Sequence, residues 1–272
     1  VENALSRAEH KDASCLETLN NGDRLEELRR NGELILANLH EARPGMSRLF
    51  ALDYYEDPPV KRAVELDASL TLQENAARFF KQYRKGKTAR DYAAGQVDAL
   101  RSEIDYLRGQ QANIGNCRTL AELNEVREEL VAEGYLRVKQ KLPKRQFAEP
   151  SKPLCFRSSD GLRIRVGKNN RQNDQLTLRE AKGDNLWLHA KNMPGSHVIV
   201  DCQGTPPEQT LLEAAALAAY YSAGREGTTV AVDYTERKNV KKPGGARPGM
   251  VIYTANRTVY VAPDAAAAQP EE

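Results

Sequence analysis

Residues able to do chemistry concentrate in the second half of the chain, beginning with Val166-Gly167-Lys168-Asn169-Asn170-Arg171-Gln172-Asn173-Asp174. This polar segment follows Leu162-Arg163-Ile164-Arg165-Val166, whose strict alternation predicts a strand with Arg163 and Arg165 on one face. Glycine permits backbone angles closed to other residues. The asparagine amides offer donors and acceptors together, and Lys168 and Arg171 add positive charge. Such a loop can hold phosphates or base edges. It can also be a structural turn whose asparagines bond their own backbone. Trp187 is the only tryptophan. On a sheet face beside His189 and Lys191 it could stack an unpaired base, or equally fill a core.

His189 and His197 flank Pro194-Gly195 and could face each other across a turn. With Cys202 or Asp184 they would make a metal set, but no ligand-spacing motif is present, so neither metal nor cofactor is expected. A histidine base oriented by Asp184 would suit RNA-end processing. Hydrogen bonding to a turn or to RNA phosphate is the preferred reading, with no catalytic residue expected. Lys238, Lys241 and Lys242 lead into Pro243-Gly244-Gly245-Ala246-Arg247-Pro248-Gly249. This basic, glycine-rich loop lacks the GK[ST] ending of a phosphate-binding P-loop. It is either a solvated loop or, the preferred reading, a contact for RNA backbone.

These residues need elements to position them. Asp160-Gly161 signals a turn ahead of the first strand. Leu186–Ala190 alternates, with Leu186, Leu188 and Ala190 on one face and Trp187 and His189 on the other. His197–Asp201 is a further strand candidate. Thr177 and Glu180 have the spacing to cap a short helix. Thr205-Pro206-Pro207-Glu208 reads as a capped helix start, with the helix running through Leu211, Ala215, Ala219 and Ser222 to Gly224. Val230, Val232 and Tyr234, then Met250, Ile252 and Thr254, then Val259 and Val261, supply further strands. The second half is therefore expected as a compact α+β domain, 154–262, with one main sheet. Residues 263–272 are rich in alanine, proline and acid and read as a disordered tail.

The first half has helical texture. Leu25, Leu28, Ile35 and Leu39 form one apolar stripe, stopped at Pro44-Gly45. Residues 46–70 alternate loosely around Asp57-Pro58-Pro59, which suggests a small hairpin or cap. Thr71 and Glu74 have capping-box spacing. Val97, Leu100, Ile104 and Leu107 keep the a/d spacing of a coiled coil. Thr119 and Glu122 repeat the capping box before Leu120, Leu123, Val126 and Leu130. An antiparallel coiled-coil arm is expected over 1–136, with an ordinary helical bundle as the alternative. Residues 137–153, with three prolines and six basic side chains, read as a linker.

Composition narrows the class. Net charge is only +2 over 272 residues, too little to demand a nucleic-acid partner. The surplus is uneven: residues 151–272 carry 16 basic and 13 acidic side chains, which suits a polyanion. No apolar run approaches the roughly 18 residues of a membrane span and no signal peptide is visible. Four cysteines without CxxC spacing fit a reducing cytoplasm rather than a disulfide scaffold.

Several runs together resemble the NFACT family. VGKNNRQNDQLTLREAKGDNLWLHAKNMPGSHVIV is similar to the hallmark of its RNA-binding NFACT-R domain. LLEAAALAAYYS, VDYTERKNVKKPGGARPGMVIY and TVYVAP follow in the family's order. NGELILANL, VELDASLTLQENAARFFKQYRK, EIDYL and ELNEVREELVAEGYL resemble its coiled-coil and middle region. The resemblance covers roughly residues 20–262. It implies a non-enzymatic ribosome quality-control factor that binds the large ribosomal subunit, rRNA and tRNA, alanine tRNA in the full-length protein. It also implies support for C-terminal alanine tailing of stalled nascent chains. The family's N-terminal domain and helix-hairpin-helix module are expected to lie outside the matched region. Gly167, Asn169, Asn170, Asn173, Asp174, Asp184, Trp187, His189, Pro194, Gly195, Ser196 and His197 match its motif. Candidate RNA contacts are Arg163, Arg165, Lys168, Asn169, Asn170, Arg171, Asn173, Trp187, His189, Lys191, His197, Lys238, Lys241 and Lys242. An older family label suggests a fibronectin-binding surface adhesin, and an RNA-processing enzyme is the other alternative.

Overall fold

The computed structural model describes residues 1–43, 45–137 and 151–271. The helix stop at Pro44 and most of the expected linker, 138–150, lie outside the described residues. The elements in chain order are α1 (Glu2–Asn20), α2 (Gly22–Ala37), β1 (Arg48–Asp53), β2 (Val60–Glu65), α3 (Leu72–Asn116) and α4 (Leu120–Ala132). Then come β3 (Leu154–Arg157), β4 (Arg163–Val166), α5 (Asn170–Gln175), β5 (Leu186–Ala190), β6 (Val198–Val200) and α6 (Glu208–Tyr220). The chain closes with β7 (Val230–Glu236), β8 (Val240–Lys241), β9 (Ile252–Tyr253), β10 (Arg257–Val261) and β11 (Gln269–Glu271). Two compact units result, Ala8–Arg101 and Val1–Arg7 with Ser102–Glu272. No helix among the described residues is long and apolar enough to cross a membrane.

The first unit is an antiparallel helical arm with a hairpin. Cys15, Leu16 and Leu19 of α1 pack on Ala93, Val97 and Leu100 of α3. Gly86 faces Leu25, and Gly32 faces the Phe80 ring. Partners on α3 thus fall in number as those on α1 and α2 rise, which defines the antiparallel pairing. A Cβ at Gly32 would lie 2.8 Å from the Phe80 ring, so glycine lets the helices approach closely. The Thr71 capping box forms: Glu74 N donates to Thr71 Oγ1 at 3.2 Å and Thr71 N to Glu74 at 2.8 Å. β1 and β2 pair in antiparallel register from Arg48↔Glu65 to Asp53↔Val60. Alternation buries Leu49, Ala51 and Val64 against Leu34, Ile35, Leu72 and Ala76. Each such leucine contributes about 1.5–3 kcal/mol by leaving water.

The second unit is built on a seven-stranded sheet of order β10-β7-β5-β6-β4-β3-β11, every neighbouring pair antiparallel. One face packs on α6, whose Ala214, Ala215, Leu217, Ala218 and Ala219 meet Leu186, Leu188, Ala190, Val198 and Val232. Alanines keep the helix close to the strands. The opposite face of the central strands carries a smaller cluster of Leu176, Trp187, Ile199 and Val240. Thr119 and Glu122 complete the second capping box at the start of α4.

Three expectations need correction. Of the expected tail 263–272, the described residues 263–271 are ordered: Gln269–Glu271 pair with β3, Ala268 is buried, and Glu271 meets Arg157 at 2.5 Å and Arg163 at 3.1 Å. An edge strand needs ladder bonds on one side only, so Pro270 is tolerated there and composition misleads. Thr177 caps nothing. It sits inside a π-helical turn, Leu176–Glu180, that continues α5, and its hydroxyl bonds His197 Nδ1 at 2.8 Å. Finally, α6 begins at Glu208 without a side-chain cap on its N-terminus and ends at Tyr220. Ser222 leaves the helix to bridge Gly195.

Candidate nucleic-acid interface

The asparagine-rich loop is placed by its own amides. Asn169 caps α5, accepting from Gln172 N at 2.9 Å and donating to Glu125 of α4 at 2.7 Å. Asn170 donates to Glu129 at 3.1 Å and accepts from Asn113 of α3 at 3.3 Å. Asn173 Oδ1 accepts from His197 N at 3.1 Å, while Gly167 N donates to His197 O at 3.1 Å. A Cβ on Gly167 would fall onto Asn173 Oδ1 and within 3.1 Å of its backbone N, so only glycine fits. Asp174 accepts from Gly249 N at 3.1 Å and pairs with Lys242. Asn169, Asn170 and Asn173 are buried. Their amides are committed to α3, α4 and the backbone of His197, so direct base contact is not available to them in this structure.

The cations sort into two groups. Arg165 is held by Glu180 at 3.0 Å and Asp201 at 2.6 Å, and Lys168 by Glu122 at 2.7 Å. Arg163 meets Glu271, Arg171 approaches Glu128 at 3.9 Å, and Lys191 lies 3.5 Å from Asp233. Lys242 pairs with Asp174 and Lys238 with Glu236. By contrast Lys241, together with Arg179 and Lys182, is exposed and has no carboxylate partner among the described residues. Their loops are locked together. Arg237 donates to Thr177 O at 2.6 Å and Leu178 O at 2.9 Å, and Lys238 N donates to Gly183 O at 3.0 Å. Arg179 and Lys182 were not among the candidates, because only the pairing of these two loops sets their segment against the one that carries Lys241.

Trp187 is fully buried, so it offers no open face to an incoming base. The alternation placed it correctly opposite Leu186 and Leu188, but the α5 turn and Val240 cover that face too. Around it lies an aromatic nest. Tyr253 is 4.8 Å from the Trp187 ring, and His189 stacks at 5.8 Å with 12° between planes. His197 meets both Trp187 and His189 edge-on at 5.3 and 5.6 Å. The two histidines do face each other, as their spacing suggested. Burial pushes both below the ordinary imidazole value, His197 to about 3 with the neighbouring His189 adding to the effect. Both rings are therefore neutral at pH 7 and carry no charge for phosphate. His197 Nδ1 is engaged by Thr177, and Asp184 has no hydrogen bond to either ring among the described residues. The arrangement lacks the oriented base that a His-Asp pair requires. Among the described residues no group of three or more His, Cys, Asp or Glu is placed to hold a metal.

Residues of the helices complete the site. Glu129 of α4 is buried and accepts through Oε1 from Tyr106 at 3.1 Å, from Asn170 and from Gln110. Burial raises its pKa while these three bonds pull it down. The Arg247 guanidinium lies over Tyr106 at 4.9 Å and Tyr135 at 5.4 Å. The signal for Glu129 was present: a carboxylate stands inside the stripe of Val126 and Leu130.

Comparison with known proteins divides the chain near residue 150, whereas the structure divides it near residue 101. A family model described as NFACT N-terminal and middle domains matches residues 1–148, and one described as NFACT protein RNA binding domain matches residues 152–254. The Rqc2 homolog RqcH of Bacillus subtilis is 38% identical over 269 residues, covering 97% of this chain and 46% of that protein. The Rqc2 homolog RqcH of Streptococcus pneumoniae serotype 2 is 38% identical over 267 residues, covering 97% and 47%. The chain thus spans about half the length of these curated relatives. A solved structure, the C-terminal of the fibronectin/fibrinogen-binding protein from Streptococcus suis, superposes with a TM-score of 0.69 at 33% identity, covering 98% of this chain and 92% of that one. With both family models in order along nearly its whole length, the chain belongs to the NFACT family.

Proposed function

We propose that this chain is the arm and RNA-binding portion of a cytoplasmic ribosome quality-control factor. In this reading it binds the large ribosomal subunit and tRNA, and supports C-terminal alanine tailing of stalled nascent chains by the longer protein rather than by an active site of its own. The observation that carries the reading is the exposed, unpaired trio Arg179, Lys182 and Lys241 on two loops fastened by Arg237. Fixed cations without carboxylate partners suit phosphate oxygens, since binding releases counterions and breaks no internal ion pair. The RNA-binding family model over residues 152–254 supports the same assignment. Cosedimentation with large subunits carrying peptidyl-tRNA tests it. The wild type should pellet with them, and a Lys182→Glu/Lys241→Glu variant should not. Equal pelleting of both proteins would count against this surface. The Streptococcus suis neighbour is titled a fibronectin/fibrinogen-binding protein, which favours an adhesin as the second reading. Immobilised fibronectin capturing the chain while large subunits do not would turn the assignment that way.

A further inference from the structure

A cavity of about 400 Å³ opens between α3, the turn that joins β5 to β6 and the loop before β9. Asp105, Gly109, Asn192, Met193, Pro248 and Met250 ring it, and Tyr106, Asn170, Trp187 and His197 are buried behind them. Its volume lies at the small end of the roughly 300–1,000 Å³ typical of small-ligand sites, enough for one nucleoside but not for a stretch of strand. Asp105 is the only formally charged side chain of its lining, because both histidines are neutral. The open walls are the half-buried rings of His189 and Tyr253, the thioethers of Met193 and Met250, and glycines, with neutral hydrogen-bonding groups set among them. Two polar atoms in this neighbourhood are buried without a hydrogen-bond partner: the indole Nε1 of Trp187 and Nη1 of Arg247. A buried donor left unpaired is destabilising, so each marks a place where an acceptor would be accommodated.

We propose that this cavity receives a single unpaired nucleobase of an RNA strand, with an acceptor on its edge meeting the Trp187 indole N–H. The inference rests on the RNA-binding reading above and deepens it. Flat faces for stacking and neutral edge-reading groups are what a base requires. The Arg247 guanidinium stacks on the Tyr106 ring at 4.9 Å and lies 3.7 Å from Glu133, so it braces the Tyr106 wall with its charge already partnered. The exposed cations on the other loops then hold backbone, and this cavity selects a base. Asn170, pinned under Gly249, contributes its side chain to the wall: a Cβ on Gly249 would sit 2.7 Å from Asn170 Oδ1.

The single tryptophan gives a single indole N–H resonance, so the orphan donor can be observed directly in the full chain. Titration with AMP, GMP, CMP and UMP should move that resonance saturably for at least one of them, while ribose 5-phosphate leaves it in place. Gly109→Leu should block the response at least tenfold. An added Cβ there meets only Pro194 Cβ, at 3.8 Å, and an unchanged indole resonance confirms that the variant folds. No response to any monophosphate, while RNA is still bound through the loop cations, overturns the base pocket and leaves the RNA-binding reading standing. Absence of RNA binding as well defeats both. An equal response to ribose 5-phosphate, or a wild-type response in Gly109→Leu, also overturns the pocket.

Discussion

Replacing Glu129 separates a buried charge from the hydrogen bonds that surround it. Its Oε1 accepts from Tyr106, Gln110 and Asn170, and the residue is 1% exposed. Glu129→Gln keeps an Oε1 acceptor for all three donors and removes the charge. Removing a buried charge while its hydrogen bonds survive is often neutral or stabilising, so a gain of about 1 kcal/mol at neutral pH is expected. Glu129→Leu strands the three donors, at about 1–3 kcal/mol each, and should cost roughly 3 kcal/mol or more. The pH dependence fixes the sign. Burial holds the folded-state pKa above the ordinary glutamate value. As pH rises the unfolded chain therefore loses this proton before the folded one does, and wild-type stability falls. The Gln variant lacks that loss, so its advantage should be absent in acid and grow as pH rises above about 4.3, the unperturbed glutamate value. Urea unfolding read by the lone tryptophan, over a pH series on both proteins, measures this difference. An advantage that shrinks with rising pH, or a Glu129→Gln loss as large as that of Glu129→Leu, would refute the reasoning.

The same buried framework yields further outcomes. Gly167→Ala drives a methyl into Asn173 and should break its bond to His197 N. A loss of about 1–3 kcal/mol by overpacking is expected in urea unfolding. His197 is depressed to about 3, so the unfolded chain takes up its proton first as pH falls. Stability should therefore drop from about pH 6.5, the unperturbed value, down towards pH 3, and His197→Gln should flatten that slope. Acid unfolding curves of the two proteins make the comparison.

Much of the arm was legible because helical periodicity and capping boxes are local signals. Thr71 with Glu74 and Thr119 with Glu122 both form as their spacing suggested. The alternation of Leu186–Ala190 likewise assigned each side chain to its observed face. Alternation says nothing of what covers the second face, however, and that is why Trp187 could be read as a stacking platform. The asparagine loop deceived for a related reason. Amides suited to bases are equally suited to backbone, and only the approach of Glu125, Glu129 and His197 decides between them. Glu271 and Ala268 were lost in a composition typical of tails, since β11 owes its place to main-chain pairing with β3. Lys241 lies about sixty residues beyond Arg179 and Lys182 in sequence, and the Arg237 bonds that join their two segments leave no local trace.

The central claim is that the second unit holds RNA through that trio. The affinity of the chain for large-subunit RNA, measured across a salt series, tests it most directly. For the wild type, log affinity should fall linearly with log salt. Replacing both Lys182 and Lys241 by alanine should reduce the slope by roughly 0.7–0.9 for each lost phosphate contact. A binding constant indifferent to salt, or a slope unchanged in the double variant, would contradict the account.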